Sequence, residues 1–122
     1  MRYEVLKADQ LNGNGHLYPI DLVQKIADKI NQGDVFVLSD APFQPIEIDR
    51  VIGYAQDAEL EDGLLSAEIK VLDTPCGMIY KELLKARARL NLTVSGTGML
   101  KSDGTVTDYQ LISLYTHNGN NA

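Results

Sequence analysis

The chain has 122 residues, of which 44% are hydrophobic and 23% charged, with a formal net charge of −6. That length suits one domain able to bury about two-thirds of the surface its unfolded form exposes, and the acidic balance argues against nucleic acid, whose phosphates require clustered Lys and Arg. No run nears the ~18 apolar residues of a bilayer span, the alternating start Met1 to Gln10 lacks a signal peptide's apolar stretch, and the single Cys76 cannot close an internal disulfide, so a soluble cytoplasmic protein without membrane contact is expected.

Tyr3, Val5 and Leu6 open a short strand, and Asn12-Gly13-Asn14-Gly15 then forces a turn, because two glycines accept positive backbone dihedrals. After Tyr18-Pro19, the apolar residues Val23, Ile26, Ala27 and Ile30 recur at helical spacing, with Asp21 near the start and Gly33 past the end. Asp34 to Leu38 reads as a buried strand. Ala41-Pro42-Phe43-Gln44-Pro45 reads as a loop, since neither a ladder nor a helix continues through two prolines.

Two longer strands, about Asp49 to Leu60 and Leu64 to Leu72, flank Glu61-Asp62-Gly63 and form an antiparallel hairpin. Asp73-Thr74-Pro75 starts a second helix, with an Asp or Thr cap and Pro in the first turn, and Ile79, Leu83, Ala86 and Leu90 supply its predicted apolar stripe. Asn91 to Leu100 and Thr105 to Thr116 make another hairpin around Ser102-Asp103-Gly104. The predicted fold class is α+β: an antiparallel, barrel-like sheet of about six strands, with two helices over its openings or flank. Residues 1–116 form a single domain, and 117–122 a short C-terminal tail.

Few residues point to chemistry by themselves. A thiol in a first helical turn, as Cys76 is, can gain nucleophilic character, but it needs a base, and a small buried residue is the simpler reading. His16 and His117 are too scattered for a metal site, and no phosphate loop or dinucleotide fingerprint occurs, so no metal and no cofactor are expected. The acids Asp57/Glu59 and Glu61/Asp62 flank a hairpin turn, as solvated residues do without any catalytic purpose, and Lys81, Lys85, Arg87 and Arg89 look like the wet side of a helix.

Four segments in order nevertheless resemble the tailed-phage prohead core proteases, the group related to herpesvirus assemblins. Leu11-Asn12-Gly13-Asn14-Gly15-His16-Leu17-Tyr18-Pro19 is similar to that family's opening "N-G-N-G/R-x-Y-P" stretch. Arg50-Val51-Ile52-Gly53 through Leu72-Asp73-Thr74-Pro75-Cys76-Gly77 resembles its central hairpin and "L-D-T-P-x-G". Leu92-Thr93-Val94-Ser95-Gly96-Thr97-Gly98 lies where it has "V-S-S-R-G-x-G", and Asp108-Tyr109-Gln110-Leu111 resembles its closing "D-F-x-L" strand.

The resemblance implies a serine nucleophile in the "S-S-R-G" strand and a histidine base in an "H-P" loop, because a hydroxyl near neutral pH needs an adjacent base. Anchoring on Gly96-Thr97-Gly98 puts Thr93 and Val94 at the serine positions and Ser95 at the arginine position. Anchoring the loop on Pro42 or Pro45 puts Ala41 or Gln44 at the histidine. No catalytic residue is assigned. If hydrolysis has moved, the candidates are Thr93, Ser95 and His16, since residues two apart on a strand share a face. Family members commonly carry sequence beyond the protease domain, and this chain stops near that domain's edge, a further expectation against a working protease.

A fold of this kind without its chemistry implies a structural role: a decoration or cement protein in the virion capsid, bound to the major capsid protein as a homo-oligomer, with Phe36, Phe43, Tyr54, Tyr115 and the Ala41 to Pro45 loop as surfaces to test. The alternatives are an active prohead maturation serine protease with a displaced nucleophile, or a non-enzymatic scaffold or protease partner inside the prohead.

Overall fold

A computed structural model describes residues 2–33, 35–39, 48–86 and 91–117. It runs β1 (Arg2–Lys7), α1 (Ile20–Gln32), β2 (Phe36–Leu38), β3 (Val51–Glu61), β4 (Leu64–Val71), α2 (Pro75–Lys85), β5 (Asn91–Leu100) and β6 (Val106–His117), with a 3₁₀ turn Ile48–Arg50 leading into β3. The strands form one six-stranded sheet in the order β1-β4-β3-β2-β6-β5. Its two end strands, β1 and β5, also touch, so the sheet curls into a half-barrel. The α+β class, the six strands and the two helices are as expected. One pairing is not: the short β2 runs parallel to β6, through Val37↔Leu114 and Leu38↔Tyr115, while every other pair is antiparallel. The predicted loop Ala41 to Pro45 and the residues Asp34, Arg87, Arg89, Leu90 and 118–122 lie outside the described residues.

Turn chemistry sets the hairpins. Asp62 and Gly63 both take left-handed backbone, φ 52° and 78°, which is what a two-residue turn between twisted strands requires. Bulges then re-aim side chains. One extra residue on β1, between Glu4 and Leu6, lets the adjacent Val5 and Leu6 both reach the core. Another lies on β3 between Gln56 and Glu59, where Asp57 turns to φ 51°. The freed backbone of Ala58 is taken up by Asn31 at the end of α1, which donates to its carbonyl at 3.0 Å and accepts from its N–H at 2.8 Å. Arg2 closes the bulge from the other side by donating to the Asp57 carbonyl at 2.8 Å. Asp57 and Glu59 therefore sit at a bulge within the strand that leads to the hairpin turn.

The helices differ in how far their sequence announced them. Helix α1 buries Val23, Ile26, Ala27 and Ile30 as its spacing predicts, and Asp9 accepts the first-turn N–H of Ile20 at 3.0 Å. Helix α2 starts where predicted, with Thr74 as N-cap accepting from Gly77 N at 2.9 Å and Pro75 in the first turn. Its predicted apolar stripe is wrong: Ile79 and Leu83 are 61% and 40% exposed, as is Met78 at 57%. The buried face is Gly77 and Tyr80, with Cys76 and Leu84 half-packed beside them. A Cβ on Gly77 would stand 2.0 Å from the Leu72 carbonyl oxygen and 2.9 Å from that of Ile52, so glycine sets which face lies down. Thr74 also donates to the Val51 carbonyl, and the hydroxyls of Tyr3 and Tyr80 hydrogen-bond, fixing the rotation of the helix against β3 and β1.

Candidate functional site

The turn between β1 and α1 is built around one side chain. Asn12 Oδ1 accepts from the backbone N–H of Asn14 at 2.9 Å and of His16 at 3.0 Å, while Gly15 N donates to the Asn12 carbonyl at 3.0 Å with φ +75°. Leu17 then docks on the β5–β6 hairpin: its N–H donates to Gly104 O and its carbonyl accepts from Val106 N, both at 2.8 Å. Gly15 and Gly104 meet so closely there that a Cβ on Gly104 would lie 2.2 Å from the Gly15 carbonyl oxygen. The turn thus stands His16 beside β5.

Between turn and hairpin lies a cavity of about 390 Å³, lined by His16, Thr93 and Ser95 and by the rings of Tyr18, Tyr109 and Tyr115. The fold therefore brings together the three residues named as candidates for relocated hydrolysis. Thr93 is buried and Ser95 half-buried. Among the described residues, no hydrogen bond joins the His16 imidazole to either hydroxyl. Val94, between them, is 8% exposed and belongs to the hydrophobic core, where it has only van der Waals work to do. Ala41 and Gln44, the residues at the expected histidine position, lie outside the described residues.

The tyrosines were not foreseen as a group. Tyr18 and Tyr109 meet edge to face, with centroids 5.7 Å apart and planes at 87°. Burial, and then the neighbouring Tyr115, push the Tyr18 phenol above its ordinary value; burial followed by Tyr18 and Tyr115 does the same to Tyr109. The available signal was the Gly96-x-Gly98 spacing: a Cβ on Gly96 would be 2.8 Å from the Tyr109 ring, so the glycines leave the space that the ring fills. Ser113 was also missed. It pairs with Ser95 across the ladder and is fully buried, with no hydrogen-bond partner for its hydroxyl among the described residues.

The other candidates lie elsewhere. Cys76 packs in the first turn of α2, its thiol 3.4 Å from the Asp49 carbonyl, and does not line the cavity. Lys81 and Lys85 pair with Asp73 and Glu82 on the solvent side of that helix, as expected of a wet face. The described residues hold no group of three or more potential metal ligands, and no helix among them is long and apolar enough to cross a membrane.

The curled six-stranded sheet and its two helices make a fold that resembles that of a phage capsid protease. One solved structure that shows the likeness is the capsid assembly protease of bacteriophage T4, gp21, which superposes with a TM-score of 0.85 at 18% identity, covering 98% of this chain and 81% of that one. No family model and no curated protein matches the sequence.

Proposed function

We propose that this chain is a phage capsid protein that keeps a maturation-protease fold without the protease's chemistry, and that it binds and stabilises the shell as a decoration or cement protein. Its partner in this reading is the major capsid protein, its place the virion, and its form a homo-oligomer. The observation that carries the reading is Val94: on the strand where the resembled family has its serines, this residue packs in the core and offers no nucleophilic atom. A core valine there stabilises the sheet, so the strand serves the fold rather than a reaction.

Quantitative mass spectrometry of proheads and mature particles tests this. A decoration protein is expected in mature particles at a copy number that scales with the capsomers. Presence in proheads and loss on maturation identifies a scaffold or protease partner instead.

A second reading is favoured by the cavity itself, which gathers His16, Thr93 and Ser95. If one hydroxyl is activated by His16, the purified chain cleaves capsid or scaffold protein, and Ser95→Ala or Thr93→Ala together with His16→Ala abolishes the cleavage. On the decoration reading none of these variants changes the length of any capsid protein.

A further inference from the structure

The two ends of the sheet are protected differently. Strand β1 carries Arg2, Glu4 and Lys7 and is bulged at Val5, two devices that discourage pairing with another chain. Strand β5 has neither. From Asn91 to Leu100 it holds no charged residue and no proline, in a chain that is 23% charged. The extra residues at both irregularities of the β5–β6 ladder, Ile112 and Asp108, are on β6, so β5 itself is a regular strand. Its second half, Gly96 to Leu100, is exposed throughout, with Met99 at 63% and Leu100 at 56%. Leu11, equally exposed, flanks the turn at Gly104.

We propose that Gly96 to Leu100 is a self-association edge, pairing antiparallel with the same segment of a second copy. Charge selects that occupant. The chain carries −6, so two copies repel across most approaches, and an edge without charges is one where no like-charged cross-strand pair arises in any register. Antiparallel pairing of identical strands is two-fold and closed, so it yields a dimer rather than a fibre. Centred on Gly98, it sets Leu100 of each copy opposite Gly96 of the other and Met99 opposite Thr97, with no charge at any pair.

This deepens the oligomeric part of the capsid reading, but the two fail separately: the edge is judged by mass in solution, the capsid role by what particles contain. Sedimentation equilibrium of the full chain is expected to give the mass of two chains, and Thr97→Lys the mass of one. Gln24→Lys, an equal charge change on the exposed side of α1, leaves the mass of two. Circular dichroism checks that the variants fold. Should Thr97→Lys fail to fold, hydrogen exchange of the wild type decides, with amides of Gly96 to Leu100 slowing as concentration rises. A wild type of single-chain mass at every soluble concentration overturns the proposal. So does a Thr97→Lys variant that keeps the mass of two, or exchange there that does not respond to concentration. A single-chain wild type whose shell binding is weakened by Thr97→Lys points instead to strand pairing with the shell protein.

Discussion

At residue scale, the firmest constraints are places where an atom has no room or no partner. Gly77 has no room: an added methyl collides with two backbone carbonyls that cannot swing aside. Gly77→Ala should cost about 3 kcal/mol, the upper end of overpacking, measured by urea unfolding; a loss below about 1 kcal/mol would show that α2 can shift. Ser113 has no hydrogen-bond partner among the described residues, and an unsatisfied buried hydroxyl is itself a cost, so Ser113→Ala should stabilise by about 1 kcal/mol. Destabilisation would mean that this hydroxyl is engaged. The raised phenols make a pH prediction. Burial and then the Tyr3 hydrogen bond push Tyr80 far above the ordinary phenol range, and burial does so for Tyr109. A raised folded pKa gives stability that is complete below the unfolded value near 10 and lost as pH climbs through the folded one. The urea midpoint should therefore hold to about pH 10 and fall beyond it, with Tyr80→Phe and Tyr109→Phe flattening the fall; an unchanged fall in both variants would contradict this.

At the scale of elements, the sequence was legible wherever a local rule had no rival. The Asp62-Gly63 turn, the stripe of α1 and the Thr74-Pro75 start all follow from neighbours in the chain. What was illegible depended on distant partners. The face of α2 is chosen by Gly77 against Ile52 and Leu72 and by Tyr80 reaching Tyr3, and neither contact leaves a periodic trace in the helix. The parallel docking of β2 on β6 and the Asn31 clamp on the β3 bulge join segments far apart in sequence for the same reason. The cavity was half visible: its hydroxyls and His16 stood out by type, whereas its tyrosines did not stand out as a group, Tyr18 and Tyr109 falling within family-like segments and Tyr115 among the surfaces to test. The corrected face of α2 makes a sharp test. Ile79→Gln should change stability by no more than about 0.5 kcal/mol, as for a surface site, whereas Tyr80→Ala should cost about 3 kcal/mol or more; equal losses by thermal unfolding would restore the original stripe.

At the scale of the molecule, the proposed function rests on a fold kept without its chemistry. The half-barrel superposes on a capsid assembly protease across nearly the whole chain, and strand β5 carries a core valine, Val94, between the hydroxyls of Thr93 and Ser95, neither of which hydrogen-bonds to the His16 imidazole among the described residues. A sheet whose packing is intact tolerates the loss of a reactive group, because stability and catalysis rest on different side chains. Such a sheet remains useful as a rigid surface, with one uncharged edge and an apolar helix face turned outward. On the proposed reading, the most direct measurement is absolute quantitation of this chain in purified proheads and mature particles. The account predicts many copies, in proportion to capsomers, retained in the mature particle. Absence from mature particles, or only a few copies in each, would contradict it.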